Sequence, residues 1–166
     1  MKRRFFVCSV GEPGKGYDLE NLHRIIEKKA FILHEDTKQK GTYNQIKPND
    51  ILILKYQNGL IGYGLATGNF KADVDEWNLY SPVEAWIFHN NLNKEKGISS
   101  YGLQSETIGG GQYGTVKEVT LRFGVGKMEE IASNSDLMRQ IKSEIMEDQH
   151  SEELEGIISI LKYKKK

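Results

Sequence analysis

At 166 residues, with one cysteine and no run near the roughly 18 apolar residues of a membrane span, the chain suits one core without internal disulfides, a Cys-based zinc site or a membrane anchor. Formal net charge is zero, which argues against the strongly basic face of a tight, sequence-blind nucleic-acid binder. That average hides a split: residues 129–155 carry nine acidic side chains against two basic ones, while residues 1–128 carry seventeen basic against fourteen acidic, a mildly basic body and an acidic tail. The single cysteine fits a reducing compartment, so a soluble, cytoplasmic protein is expected.

Residues 3–10 (RRFFVCSV) read as a buried strand, and GEPGKG after them as a loop. Asp18 is placed to cap a helix in which Leu19, Leu22, Ile26, Ala30 and Leu33 recur at three- and four-residue steps. One amphipathic helix is therefore expected, with Asn21 on its first turn, Phe31 on its last, and Glu20, Arg24, Glu27 and Lys28 facing outward. Residues 34–48 are polar and read as a loop, with His34-Glu35-Asp36 solvated.

Two strands follow, from Asp50 to Tyr56 and from Leu60 to Thr67, joined at Gln57-Asn58-Gly59. The Asn-Gly pair is a hairpin signal because both residues tolerate positive φ. Glycines 62 and 64 predict a close backbone approach or a bulge. Residues 69–80 (NFKADVDEWNLY) read as a loop carrying Trp77, and 82–89 (PVEAWIFH) as a strand. A long connection over 90–113 ends in IGGGQYG, before a last strand at 114–123 (GTVKEVTLRF). From Ser135 to Leu161 the pattern is helical and reads as an acidic helix pair ending in LKYKKK. The expected fold is α+β: a small, strongly bent mixed sheet or open barrel over residues 1–128, a helix packed after the first strand, and an acidic helical tail or linker over 129–166.

Several chemical motifs fail on their mechanics. GEPGKGYD lacks the glycine spacing and the Ser or Thr after lysine that a nucleotide phosphate loop needs. Histidines 23, 34, 89 and 150 show no metal-ligand spacing, and no Ser-His or Cys-His pair stands out, so neither an enzyme nor a cofactor is expected. IGGGQYGT reads either as an anion-binding run of backbone amides or as a flexible hairpin loop. Trp77, Tyr80 and Tyr43, in polar surroundings, are either binding groups or a satellite cluster capping the sheet.

Three blocks in this order resemble a YTH domain, the N6-methyladenine reader of the PUA-like class that also contains EVE domains. RRFFV, continued by KGYDLENLHRIIEKKAF, is similar to the family's first strand and the helix that ends on a cage tryptophan. DILILKYQNGLIGYGLATG is similar to its central hairpin, and SPVEAWIF to the strand after it; TVKEV is a weaker match to a late strand. The resemblance spans residues 3–120 and leaves the tail uncovered. It implies a base-binding set of Tyr17, Asn21, Phe31, Ile32 and Trp77, with Lys15 at a phosphate. Phe31 falls at the first cage tryptophan, Trp77 near a second cage residue, Asn21 at the contact to adenine N1, and Ile32 at a backbone carbonyl that accepts from the exocyclic N–H. Phenylalanine for tryptophan at 31 narrows the stacking face and leaves the modified base open.

The same residues have plainer readings: Phe31 as core, Asn21 as a polar residue of the helix turn, Tyr17 packed at the helix start. Trp86 is assigned to the core. The function implied is a non-catalytic reader that flips N6-methyladenine, in DNA first and RNA as the alternative, into an aromatic cage. Similar modules stand at the front of modification-dependent restriction GTPases, which implies a fused or associated GTPase motor and nuclease, and a chain that is a fragment of a longer protein. A protein-interaction module using the aromatic loops and acidic helices is the remaining alternative.

Overall fold

The computed structural model describes residues 2–10, 18–56, 59–89 and 116–164. It divides into two compact units, Met1–Ala132 and Ser133–Lys166. In chain order the elements are β1 Phe5–Ser9, α1 Asp18–Lys28, β2 Ala30–Leu33, α2 Lys40–Tyr43, β3 Ile51–Tyr56, β4 Gly59–Leu65, β5 Phe70–Lys71, β6 Leu79–Pro82, β7 Ile87–Phe88, β8 Val116–Val119, α3 Leu121–Ala132 and α4 Asp136–Lys164.

The first unit is α+β, with two sheets where one bent sheet or an open barrel was expected. The larger is mixed, in the order β7-β4-β3-β1-β8; the smaller is antiparallel, β2-β6-β5. β1 runs parallel to β3 and antiparallel to β8, and a parallel pair needs the long α1-β2-α2 crossover that the sequence supplies. An isolated bridge between Ala66 and Val83 joins the two ladders. Strand alternation then divides the larger sheet's apolar residues. Phe6, Cys8, Leu52 and Leu54 enter one core with Leu22 and Ile25 of α1 and all of β2. Phe5, Val7, Ile51 and Ile53 alternate with them, and α3 packs on Phe5 through Gly124.

The glycines of β4 do permit a close approach. A Cβ on Gly62 would lie 2.9 Å from the Ile87 carbonyl oxygen, and one on Gly64 2.8 Å from Val83 Cβ. A register shift between Leu54 and Lys55 adds an irregularity in the same hairpin. The hairpin tip at Gln57-Asn58 and the IGGGQYG run lie outside the described residues.

Several expected elements are corrected, and the loop expected over 34–48 contains the short helix α2. The first helix does not continue through Phe31: it stops at Lys28, Lys29 turns at φ 51°, and Ala30–Leu33 becomes a strand laddered to β6. Residues 69–80 are not all loop, since they contain β5 and the start of β6. The strand expected over 82–89 is interrupted: β6 ends at Pro82, Val83 forms an isolated bridge to Ala66, and Ile87–Phe88 pairs with β4. The last strand ends at Val119; the Thr120 hydroxyl accepts from the Phe123 N–H at 3.1 Å and caps α3 instead, so Leu121, Arg122 and Phe123 are helical. The boundary expected between residues 128 and 129 falls inside that helix.

Tyr43 and Tyr80 belong to the interior. The Tyr43 hydroxyl donates to the Tyr80 carbonyl at 2.7 Å, and burial pushes its pKa up to about 12. Trp86 packs against the core, as assigned. In the second unit a single 29-residue helix replaces the expected pair. The Ser135 hydroxyl caps it by accepting from the Met138 N–H, and Met146, Leu154, Ile157 and Ile158 are left exposed along it. Among the described residues no helix is long and apolar enough to cross a membrane.

Candidate functional site

Trp86 fixes α1 in place: its indole N–H donates to the Ile25 carbonyl at 3.0 Å. The helix thereby turns Asn21 inward, leaving the residue 1% exposed. A buried amide needs partners, and the first comes from the same helix three residues on. Arg24 Nη1 donates to Asn21 Oδ1 at 3.1 Å, and Nη2 lies 3.8 Å from a Glu20 carboxylate oxygen. The Arg24 guanidinium carbon sits 5.7 Å from the centre of the Trp77 ring. Such a cation over an indole is worth about 0.5–1 kcal/mol where water has access.

Trp77 arrives from the opposite side because its loop is tied to the end of β2. The Glu35 N–H donates to the Glu76 carbonyl at 2.8 Å, the Asn78 side-chain amide donates to Glu35 Oε2 at 2.9 Å, and the Ala72 N–H donates to the Asn78 carbonyl at 2.8 Å. The Glu35 bond continues the strand pairing of β2 past Leu33↔Leu79, the Ala72 bond continues that of β5 with β6, and the indole is held half-buried against the core. His34 meets that ring edge-on, with centroids 5.2 Å apart and planes at 88°. Its Nδ1 accepts from the Asp36 N–H at 3.0 Å, which places the ring hydrogen on Nε2, facing Glu76 Oε2 at 3.4 Å. His34 and Glu35 therefore shape this corner, contrary to their expected solvated role.

β2 is the outer strand of its sheet, and its hydrogen-bond phase can be read from its neighbours. The Val83 N–H donates to the Lys29 carbonyl, so the antiparallel alternation makes Phe31↔Ser81 and Leu33↔Leu79 the bonded pairs. Ile32, opposite Tyr80, then points its carbonyl and N–H away from β6, to a side on which no strand pairs with β2 among the described residues. A backbone carbonyl outside the ladder is the kind of acceptor a ligand can use. Two further polar atoms at this end, Asn78 Oδ1 and Ser81 Oγ, are buried and lack a hydrogen-bond partner among the described residues.

The structure thus links Asn21 to Trp77 through Arg24. Phe31 is on β2, not on a helix turn, and at 0% exposure is part of the core cluster. Tyr17 and Lys15 lie outside the described residues. Arg24 and His34 were not anticipated: Arg24 occupies a helix position that periodicity assigns to solvent, and only its i,i+3 relation to Asn21 could have signalled the contact. Among the described residues no group of three or more His, Cys, Asp or Glu is disposed to hold a metal. Arg24 thus brings one buried amide and one half-buried indole into a single cluster. No protein-family model matches the chain, and no curated protein matches it significantly.

Proposed function

We propose that this chain is a non-catalytic reader of a methylated base, N6-methyladenine in DNA, which it takes flipped out of the duplex into the corner between α1, the edge of β2 and Trp77. The observation that carries the reading is that one side chain, Arg24, meets both the Asn21 amide at 3.1 Å and the Trp77 ring at 5.7 Å. A methyl on the Watson–Crick edge is hidden in a duplex, so reading it requires extrusion at a cost of a few kcal/mol. Stacking on one aromatic face returns about 1–3 kcal/mol. Burying the methyl adds about 0.8 kcal/mol, roughly fourfold in affinity, so further discrimination comes from excluding water around it.

In this reading the Trp77 indole stacks the base, Asn21 donates to the ring nitrogen N1, and the Ile32 carbonyl accepts the exocyclic N–H. Phe31 supports the strand edge as the buried floor, and Tyr17 and Lys15 hold the sugar and phosphate. The mixed sheet with a helix after its first strand supports a PUA-like relationship, within which such readers act as specificity modules for a GTPase motor and nuclease.

The test is titration of matched oligonucleotides with and without N6-methyladenine, as DNA and as RNA. Methylated DNA is expected to bind best. Trp77→Ala should abolish the methyl preference while the protein remains folded, and Asn21→Ala should weaken binding by about 1–3 kcal/mol, the cost of losing a buried base contact. Equal binding of all four oligonucleotides would reject base reading in favour of a protein-interaction role; preference for the RNA would move the function to that polymer.

A further inference from the structure

An asparagine amide is two-faced: one end accepts and the other donates, and a half-turn about its last bond exchanges them. Which edge of a base Asn21 can read therefore depends on what fixes the amide. A guanidinium carries five donor hydrogens and no acceptor, so the end of Asn21 that meets Arg24 Nη1 at 3.1 Å must be the oxygen. The amide nitrogen, with both its hydrogens, is then the opposite end. Turning the amide over would set donor against donor in a site where Asn21 is 1% exposed and water cannot relieve the conflict. Arg24 is itself restrained by the Trp77 ring at 5.7 Å and by Glu20 at 3.8 Å, and its side chain is 28% exposed.

We infer that Arg24 is a positioning residue that sets the hydrogen-bond polarity of Asn21, restricting the site to bases that present an acceptor at ring position 1 and rejecting those that carry a hydrogen there. Adenine and its N6-methyl derivative have a bare N1; guanine and hypoxanthine have N1–H. The inference rests on the base-reading function proposed above. It assigns specificity to a side chain that need not touch the base.

The experiment measures, on the full chain, the affinity ratio of two DNA oligonucleotides that differ at one position, adenine against hypoxanthine. Arg24→Met frees the amide to turn and accept from N1–H, so the ratio is expected to shrink by about tenfold, the worth of one relieved buried donor–donor conflict. Arg24→Gln, which both donates and accepts, should shrink it similarly, whereas Arg24→Lys, a pure donor, should preserve it. In an Asn21→Ala background Arg24→Met should leave the ratio unchanged, which separates action through Asn21 from any direct contact; the Ile32 contribution is common to both arms and cancels. Melting curves for each variant exclude misfolding. A ratio within twofold of the parent in both Arg24→Met and Arg24→Gln, or the same shrinkage without Asn21, overturns the assignment while leaving the reader function standing. A parent chain with no preference for methylated over unmethylated adenine overturns the methyl-reader function alone, and a parent chain that binds adenine and hypoxanthine equally overturns the Arg24 assignment.

Discussion

Phe31 and Trp77 are both aromatic residues of the proposed site, yet their environments predict opposite responses to truncation. Phe31 is fully buried in the core cluster, directly across from Ser81, and Phe31→Ala would remove a ring that the surrounding strands cannot collapse to fill. The expected cost is about 3–5 kcal/mol of folding stability, measurable by urea unfolding, whether or not a base ever meets that ring. Trp77 is half-buried on a loop held by backbone and amide bonds to Glu35, so its truncation should affect binding far more than the unfolding midpoint. A loss of binding in Phe31→Ala is informative only when its unfolding midpoint is known. Should Phe31→Ala unfold like the parent, its placement in the core is wrong.

At the level of elements, α3 contains a paired test of helix propensity against packing. Gly124 and Gly126 lie in the same helix, where glycine costs about 1 kcal/mol relative to alanine. A Cβ on Gly126 meets nothing within 4 Å, so Gly126→Ala should raise stability by up to about 1 kcal/mol. A Cβ on Gly124 would lie 2.6 Å from Phe5 Cδ2, inside any permissible contact, and Phe5 is buried and cannot retreat. Gly124→Ala should therefore destabilise by about 1–3 kcal/mol despite its better propensity, as overpacked cores do. Thermal melts of the two variants moving in the same direction would show that α3 does not pack on β1 this way.

The same helix shows what sequence pattern can and cannot convey. β3 and β4 were legible because apolar runs on either side of an Asn-Gly turn have few alternatives, and β1 because FFVCSV stands directly before a glycine-rich stretch. α3 was hidden because its two glycines lower the helical signal and TLRF continues the β-rich composition of β8; what marks its start is one hydrogen bond, from the Phe123 N–H to the Thr120 hydroxyl. The change from α1 to β2 was hidden for a different reason. Ala30 and Leu33 prolong the three-and-four spacing, and nothing in a lysine side chain announces the φ of 51° that ends the helix at Lys29. Asn21 and Trp77 were singled out from the sequence and lie in one cluster through Arg24, but Arg24 was not, because its partners are defined by the ladder that carries Trp77 back to α1.

Across the whole chain, Cys8 provides a readout of whether these elements open together. It is the single cysteine, lies in β1 between β3 and β8, and is 0% exposed. Burial also pushes its thiol pKa well above the ordinary value, so little thiolate forms in the folded state. Both effects make the native protein inert to thiol reagents at neutral pH, and reaching the sulfur requires opening the core layer in which it packs with residues of α1 and β2. If the first unit unfolds cooperatively, labelling at high reagent should follow the global unfolding equilibrium, and urea should accelerate it with the same slope that governs the loss of structure. Gly124→Ala, which strains the opposite face of β1, should then speed labelling by the factor its stability loss predicts, about tenfold per 1.4 kcal/mol. Fast labelling of the parent protein in buffer alone, with no dependence on urea, would mean that β1 is reached by local opening and that its central place in the sheet does not protect it.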